Sequence, residues 1–555
     1  MKSLNMKTKN ILNILSVTVF TMASSYLHAQ EKNYVSEVWT ADLGKNYKNP
    51  IIFADYSDPD VIRVGNDYYM TASSFNEAPG LPILHSKDMV NWKLVNYAVE
   101  DVLPAEYFSV PRRGDGIWAP SMRFHKGEFF IYWGDPDFGI YMVKTKDPLK
   151  KWENPILVME GKGLIDACPF WDEDGNAYLV HGWAGSRAGV KSILTLNTMN
   201  PEGTKVLDKG IHIFDGHDNH PTVEGPKMYK RNGYYYVFAP AGGVATGWQL
   251  ALRSKNIYGP YEEKIILEQG STKINGPHQG AWVDTPSGQD WFYHFQDVDT
   301  YGRIVHLQPM KWENDWPVIG TDTNKNGIGE PVPTYKKPDV GQNYPIVTPS
   351  ETDEFDGEKL GIQWQWSANE NIVWSSKLPG QKFLRLFSIK VSEGEKNLWN
   401  VPNLLTQKFP APNFTASTKV KLIPEDAKEG KTAGLLVMGA DHASLVITNK
   451  PDGFYIQMRK AEKAEKAEKG GEEKVLSEAK LKGNEVYFKV KVSEPNGLCQ
   501  FSYSENGKNF TEIGSAFQAK PGKWIGAKVG LYSISTSRAP RGGYADFDWF
   551  RITKN

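Results

Sequence analysis

Between about residue 49 and residue 320 the chain runs in short stretches of apolar and aromatic residues that alternate with polar ones, separated by Gly, Asp, Asn and Pro. Alternation over a few residues, bounded by turn formers, predicts strands. One such strand recurs five times, each copy opened by a glycine: GNDYYMTASS from Gly65, GEFFIYWGD from Gly127, GNAYLVHGW from Gly175, GYYYVFAPA from Gly233 and GQDWFYHFQD from Gly288. Consecutive glycines lie 48 to 62 residues apart. A repeat of about 50 residues made of short strands predicts a propeller, one blade per copy. A second motif keeps the same register. SKDMVNW from Ser86, TKDPLKKW from Thr145, LNTMNPEG from Leu196 and SKNIYGPY from Ser254 predict one turn after the third strand of successive blades.

The pattern changes after residue 320. Residues 321–350 are rich in Pro, Gly, Asn and Asp and read as a linker. Within it, Asp322, Asn324, Asn326 and Gly327 match the first half of a calcium loop, but the twelfth position is Pro333 rather than the required Glu, so a solvated turn is the better reading. From Glu351 to the end, strand-like runs such as KFLRLFSI, AGLLVMG, VYFKVKV and ADFDWFRI recur without a long helical pattern, which predicts an antiparallel sandwich. The fold expected is therefore all-β: a five-bladed β-propeller over 49–320, then a β-sandwich of the concanavalin-like jelly-roll kind over 351–555. The tract EKAEKAEKGGEEK from Glu462 reads as a solvated hairpin extension. At the other end, Lys2, Lys7 and Lys9 precede an apolar run from Ile11 to Met22 and a small-residue site ending at Ala29. Residues 1–29 thus read as a signal peptide of an exported protein, periplasmic or secreted, with 30–48 as a polar lead-in and no membrane span.

The repeats also align chemistry. Seven to ten residues before each glycine stand Asp58, Trp118, Asp166, Glu224 and His278. Matched positions in a propeller sit at matched depths around one axis, so these five side chains are expected to share a pocket. Each carboxylate opens an otherwise apolar strand, where burial of an unpaired charge is costly and points to function. Asp60 is a rival to Asp58 that spacing does not exclude. Two carboxyl groups flanking a bond are what glycoside hydrolysis needs: one protonates the leaving oxygen and the other activates water or attacks. A like charge nearby keeps an acid protonated near neutral pH. Asp166 lies on the blade next to Glu224 and can do this, while Asp58 lies two blades away around the ring. Glu224 is accordingly read as the acid, Asp58 as the base and Asp166 as the residue that tunes and orients the acid.

Composition narrows the partners. A net charge of -1 and a pI near 6.9 leave no field to recruit nucleic acid or an anionic membrane. Abundant aromatics suit both β packing and stacking on sugar rings. The two cysteines, Cys168 and Cys499, fall in different expected domains, so no disulfide is expected. Glu354 and Asp356 near the start of the sandwich, with Asp546 and Asp548 near its end, are candidates for a structural Ca2+ where first and last strands pair; Glu354 and Asp548 are the ligands named for it.

SDPDVIRVGNDYYM, GIWAPSMRFHKGEFFIYW, LIDACPFWDEDGNAYLVHG, VEGPKMYKRNGYYYVF, GPHQGAWV and FYHFQDVDTYGRIVHLQPMKW together resemble glycoside hydrolase family 43, over roughly residues 49–320. The following sandwich is similar to the arrangement in its β-xylosidase and α-L-arabinofuranosidase branch. The resemblance implies an inverting mechanism with base, pKa-modulating Asp and acid on Asp58, Asp166 and Glu224. It implies that Arg303 contacts the sugar, that Phe75 and Trp118 wall or stack on it, and that His278 stands in the central channel, where it binds near the substrate or holds a calcium ion or water. Ala167 departs from the proline that many relatives carry after the modulating Asp, which bears on local backbone rigidity. The activity expected is exo-hydrolysis of terminal β-D-xylose or α-L-arabinofuranose from plant cell-wall hemicellulose, with no cofactor for catalysis. An endo-arabinanase and a non-catalytic glycan-binding protein are the alternatives.

Overall fold

The computed structural model describes residues 33–425, 429–469, 471–536 and 542–555, so the segment read as a signal peptide lies outside the described residues. Five four-stranded antiparallel sheets follow one another along the chain. Blade 1 comprises Asp60–Val64, Asp67–Thr71, Gly80–Ser86 and Trp92–Val99. The innermost strands of the other blades are Trp118–His125, Leu164–Trp171, Lys227–Arg231 and His278–Asp284. The ring is closed by chain from the lead-in side: Ile51 N donates to Val305 O of blade 5 at 2.8 Å, and Val305 N to Ile52 O at 3.1 Å.

The glycine-opened strand is the second of each blade, and its composition follows from its place. Side chains on a strand point alternately to opposite faces. Phe129 and Ile131 pack toward blade 1, while Phe130 and Tyr132 pack toward blade 3. In blade 4, Val237 and Ala239 face blade 3 while Tyr236 and Phe238 face blade 5. Both faces are buried between neighbours, so these strands are continuously apolar rather than alternating. The turn motif also has a cause. Ser86, Thr145 and Ser254 each end a third strand, and their hydroxyls accept the backbone N–H of Asp88, Asp147 and Asn256. Those residues in turn accept N–H bonds from Val90, Leu149 and Tyr258, closing Asx turns.

The lead-in and linker are more ordered than their composition suggests. Asn46–Lys48 pairs with Asp42–Leu43 on one side and with Thr334–Lys336 on the other, giving a small three-stranded sheet. The Asp322 carboxylate accepts N–H bonds from Asn326 and Gly327, so that loop is a turn capped by its own side chain. The second domain is a sandwich of two eight-stranded sheets. Its hydrophobic core takes in Phe53, Tyr301 and Ile304 from the propeller side, so one core crosses the domain boundary.

Candidate active site

Each innermost strand bends where it enters the central channel. Asp58, Ala119, Asp166, Gly225 and Gln279 all have positive φ, at 55°, 25°, 60°, 55° and 34°. In blades 2, 3 and 5 the pairing register shifts at that point, as a bulge does. This left-handed position, costly for any residue but glycine, is the true structural repeat. It differs from the sequence alignment by one residue in three blades: Trp118, Glu224 and His278 precede it, whereas Asp58 and Asp166 occupy it. The bend also breaks strand alternation, which is why Asp58 and Asp60 part company. Asp58 lines the pocket, whereas Asp60 is fully buried beneath it. Its carboxylate there accepts Met122 N at 2.6 Å and Arg123 Nη1 at 2.8 Å, tying blade 1 to blade 2.

The pocket is lined by Asp58, Phe75, Trp118, Ala119, Ile165, Asp166, Glu224, Val244, Gln279, Arg303 and Trp524. All three expected catalytic carboxyls therefore reach one space, and each is held differently. Asp58 Oδ2 accepts the hydroxyls of Ser57 and Ser73, both at 2.6 Å. Arg303 Nη1 donates to Asp58 Oδ1 at 3.1 Å and to Ser57 Oγ at 3.0 Å. Arg303 itself is buried, with its guanidinium carbon 4.9 Å from the centre of the Phe295 ring and 5.8 Å from that of Trp524.

Asp166 Oδ2 accepts Gly225 N at 2.8 Å and Gln279 Nε2 at 3.0 Å. Burial, then the neighbouring Glu224 and Asp58, raise its carboxyl well above the usual range. Both donors fall on Oδ2, which leaves Oδ1 as the atom to carry a proton. The backbone at Asp166 holds its shape with Ala167 after it, fixed by these bonds rather than by a proline ring. Glu224, partly exposed, lies with Oε1 3.1 Å from His278 Nε2.

His278 is fully buried and does not line the pocket, so it is a partner of Glu224 rather than a substrate contact. Its Nδ1 is buried without a hydrogen-bond partner in the protein, and among the described residues no cluster of three or more His, Cys, Asp or Glu side chains is arranged to hold a metal. The sandwich candidates are also corrected. Its start and end do pair, at Asp353 and Phe550. However, Glu354 is engaged by Arg551 at 2.6 and 2.7 Å, Asp548 by Lys419 at 2.8 Å and Asp546 by Arg385 at 2.7 Å. Cations of the protein itself neutralise these carboxylates. Cys168 and Cys499 are both buried free thiols.

Phe75 and Trp118 stand edge to face with ring centres 6.4 Å apart, walling one side. Against this wall stands a residue the repeats could not reveal. Trp524, from a loop of the sandwich, meets Trp118 at 6.0 Å and closes the pocket rim. Gln279 was also missed; its signal was its place directly after His278, the counterpart of Asp58 and Asp166 once the left-handed position sets the alignment.

The family model described as glycosyl hydrolases family 43 matches residues 47–317, and that of the beta xylosidase C-terminal concanavalin A-like domain matches residues 352–553. A putative beta-xylosidase of Xylanibacter ruminicola is 40% identical over 89% of this chain and 87% of its own length. A beta-xylosidase of Formosa agariphila is 32% identical over 97% and 96%. A non-reducing end alpha-L-arabinofuranosidase of Bacteroides ovatus is 28% identical over 92% and 96%. The crystal structure of a xylan beta-1,4-xylosidase from Bacillus halodurans superposes with a TM-score of 0.79 at 25% identity, covering 91% of this chain and 100% of that one.

Proposed function

This chain belongs to glycoside hydrolase family 43, and from that premise we propose that it is an exo-acting, inverting glycosidase that releases terminal β-D-xylose or α-L-arabinofuranose from hemicellulose oligosaccharides. The observation that carries this reading is the convergence of Asp58, Asp166 and Glu224 in one pocket, with a different hydrogen-bond shell on each. A pocket whose rim is walled by Phe75, Trp118 and Trp524 suits a chain end better than a chain interior.

Asp58, held in place by Arg303, Ser57 and Ser73, takes a proton from a water that attacks the anomeric carbon. Glu224, oriented by His278, gives a proton to the departing oxygen. Asp166 sits beside Glu224 and binds the backbone N–H of Gly225 next to it, which orients the acid. The basic and apolar segment at the N-terminus supports action after export, in the periplasm or outside the cell.

The test is release of p-nitrophenol from the β-D-xylopyranoside and the α-L-arabinofuranoside, with Asp58→Asn beside the parent protein. Turnover that Asp58→Asn abolishes is expected, with the first-formed sugar inverted by NMR; a retained anomer or an active Asp58→Asn variant would overturn the mechanism. Glu224→Gln is expected to lose activity on xylobiose by far more than on the aryl xyloside, whose phenolate needs little protonation. Equal losses on both would remove Glu224 from the role of acid.

A further inference from the structure

Asp55 lies three residues before the proposed base, is only 4% exposed, and among the described residues makes no direct ion pair, the Lys408 ammonium lying near enough only to interact at longer range. Burial of a carboxylate without a direct ion pair is costly. Its two oxygens are divided between the two domains. Oδ1 accepts the backbone N–H of Arg303 at 2.9 Å, and Oδ2 accepts the backbone N–H of Gly526 in the sandwich at 2.8 Å.

The surrounding backbone is built for that contact. Gly302 has φ 75°, and a Cβ there would lie 2.5 Å from Asp55 Cγ and 2.7 Å from Gly526 N. A Cβ on Gly526 would in turn lie 2.7 Å from Gly302 N. The two main chains thus touch with no side chain between them. Ala527 N donates to Thr300 O at 2.7 Å beside the same contact. Two residues before Gly526, Trp524 covers the guanidinium of Arg303 and the rim of the pocket.

We infer that Asp55 is a positioning residue for the catalytic base: it fixes the backbone of Arg303, which grips Asp58, to the Trp524–Ala527 loop of the sandwich, and so makes that loop part of the catalytic apparatus. The inference rests on Asp58 being the base. Asparagine at position 55 keeps the shape but puts an NH2 group against one of two N–H donors, so either Arg303 or the loop is released. A displacement of about 1 Å at a catalytic group costs up to roughly 100-fold in rate.

The experiment is a double-mutant cycle on the full chain with the aryl xyloside, using Asp55→Asn, Arg303→Ala and the pair. Asp55→Asn is expected to lower kcat roughly 10- to 100-fold with KM changed less than about threefold. In the Arg303→Ala background the same change is expected to cost less than about twofold, because its effect has already been lost. Losses that multiply in the pair, or an Asp55→Asn variant with parental kcat, would overturn the inference. Arg303→Ala or Asp58→Asn variants that keep parental activity would instead sink the reading of the base. If Asp55→Asn does not fold, Gly526→Ala makes the same test from the other side. Its methyl pushes the loop off Asp55, and a kcat loss that vanishes with Arg303→Ala is expected; a loss that persists there counts against the coupling.

Discussion

The raised carboxyl of Asp166 has a consequence for stability as well as for chemistry. Its proton is held more tightly in the folded protein than in the unfolded chain, chiefly because of burial and then because of Glu224 and Asp58. Stability from this group is therefore complete below the unfolded value of 3.8 and is lost as pH rises through the folded value. At neutral pH the pocket carries that penalty for the sake of function. Asp166→Asn removes the charge and keeps an oxygen for Gly225 and Gln279, so it is expected to raise stability at pH 7 by roughly 1–2 kcal/mol while activity collapses. The gain should shrink as pH falls toward the unfolded value of 3.8, below which wild-type Asp166 is protonated in both states. Thermal melts at pH 4 and pH 7 check this; an unchanged or lower melting temperature at pH 7 contradicts it. At this scale the sequence was legible where chemistry contradicts environment, because a carboxylate at the head of an apolar strand stands out. It was not legible where backbone conformation decides. Alignment by glycine spacing could not see that Asp58 and Asp166 take the left-handed position while Glu224 and His278 stand one residue earlier. It therefore left Asp60 in contention, passed over Gln279, and put His278 in the pocket rather than behind Glu224.

Among elements, the five second strands were legible as strands because both of their faces demand apolar residues. The polar lead-in and the Pro- and Gly-rich linker were not, since their strands are short and draw stability from each other. Tyr47 shows how that small sheet matters. It is fully buried, stands edge-on to Trp291 with ring centres 6.2 Å apart, and donates its hydroxyl to Leu307 O of blade 5 at 2.8 Å. The segment is a brace across the junction of the first and last blades, where it adds to the Ile51 and Ile52 bonds to Val305, the Arg63–Asp284 ion pair and the Tyr293–Met89 hydrogen bond. Truncation of a large buried ring costs about 3–5 kcal/mol. Tyr47→Ala is expected to lower the urea midpoint accordingly while kcat of the folded protein stays within about twofold, since Tyr47 is remote from the pocket. A midpoint equal to the parent's would show that the brace contributes nothing.

For the molecule as a whole, the sequence suggests two domains joined by a linker, and composition gives no hint of how firmly they join. The structure answers through buried charge. Glu77, on the propeller and 1% exposed, lies 2.9 Å from Lys528 Nζ of the sandwich and 3.5 Å from Arg113 Nη1. Phe53, Tyr301 and Ile304 enter the sandwich core, and the Tyr301 hydroxyl donates to Pro412 O while accepting Gly497 N. An interface that buries ions must keep them paired, because removing one partner strands the other and costs about 3–5 kcal/mol. Separation of the domains would break the Glu77–Lys528 pair and open the shared core, so neither domain can unfold without exposing the other's share of that core. Calorimetry of the full chain is therefore expected to give a single transition. Glu77→Gln, which keeps the shape and deletes the charge, should move that whole transition downward rather than split it. Salt should change the shift little, since a buried pair is poorly screened. Two separated transitions in the parent, or a Glu77→Gln variant in which only one part of the trace moves, would show that the propeller and sandwich are independent bodies. The pocket rim at Trp524 would then belong to a domain free to leave it.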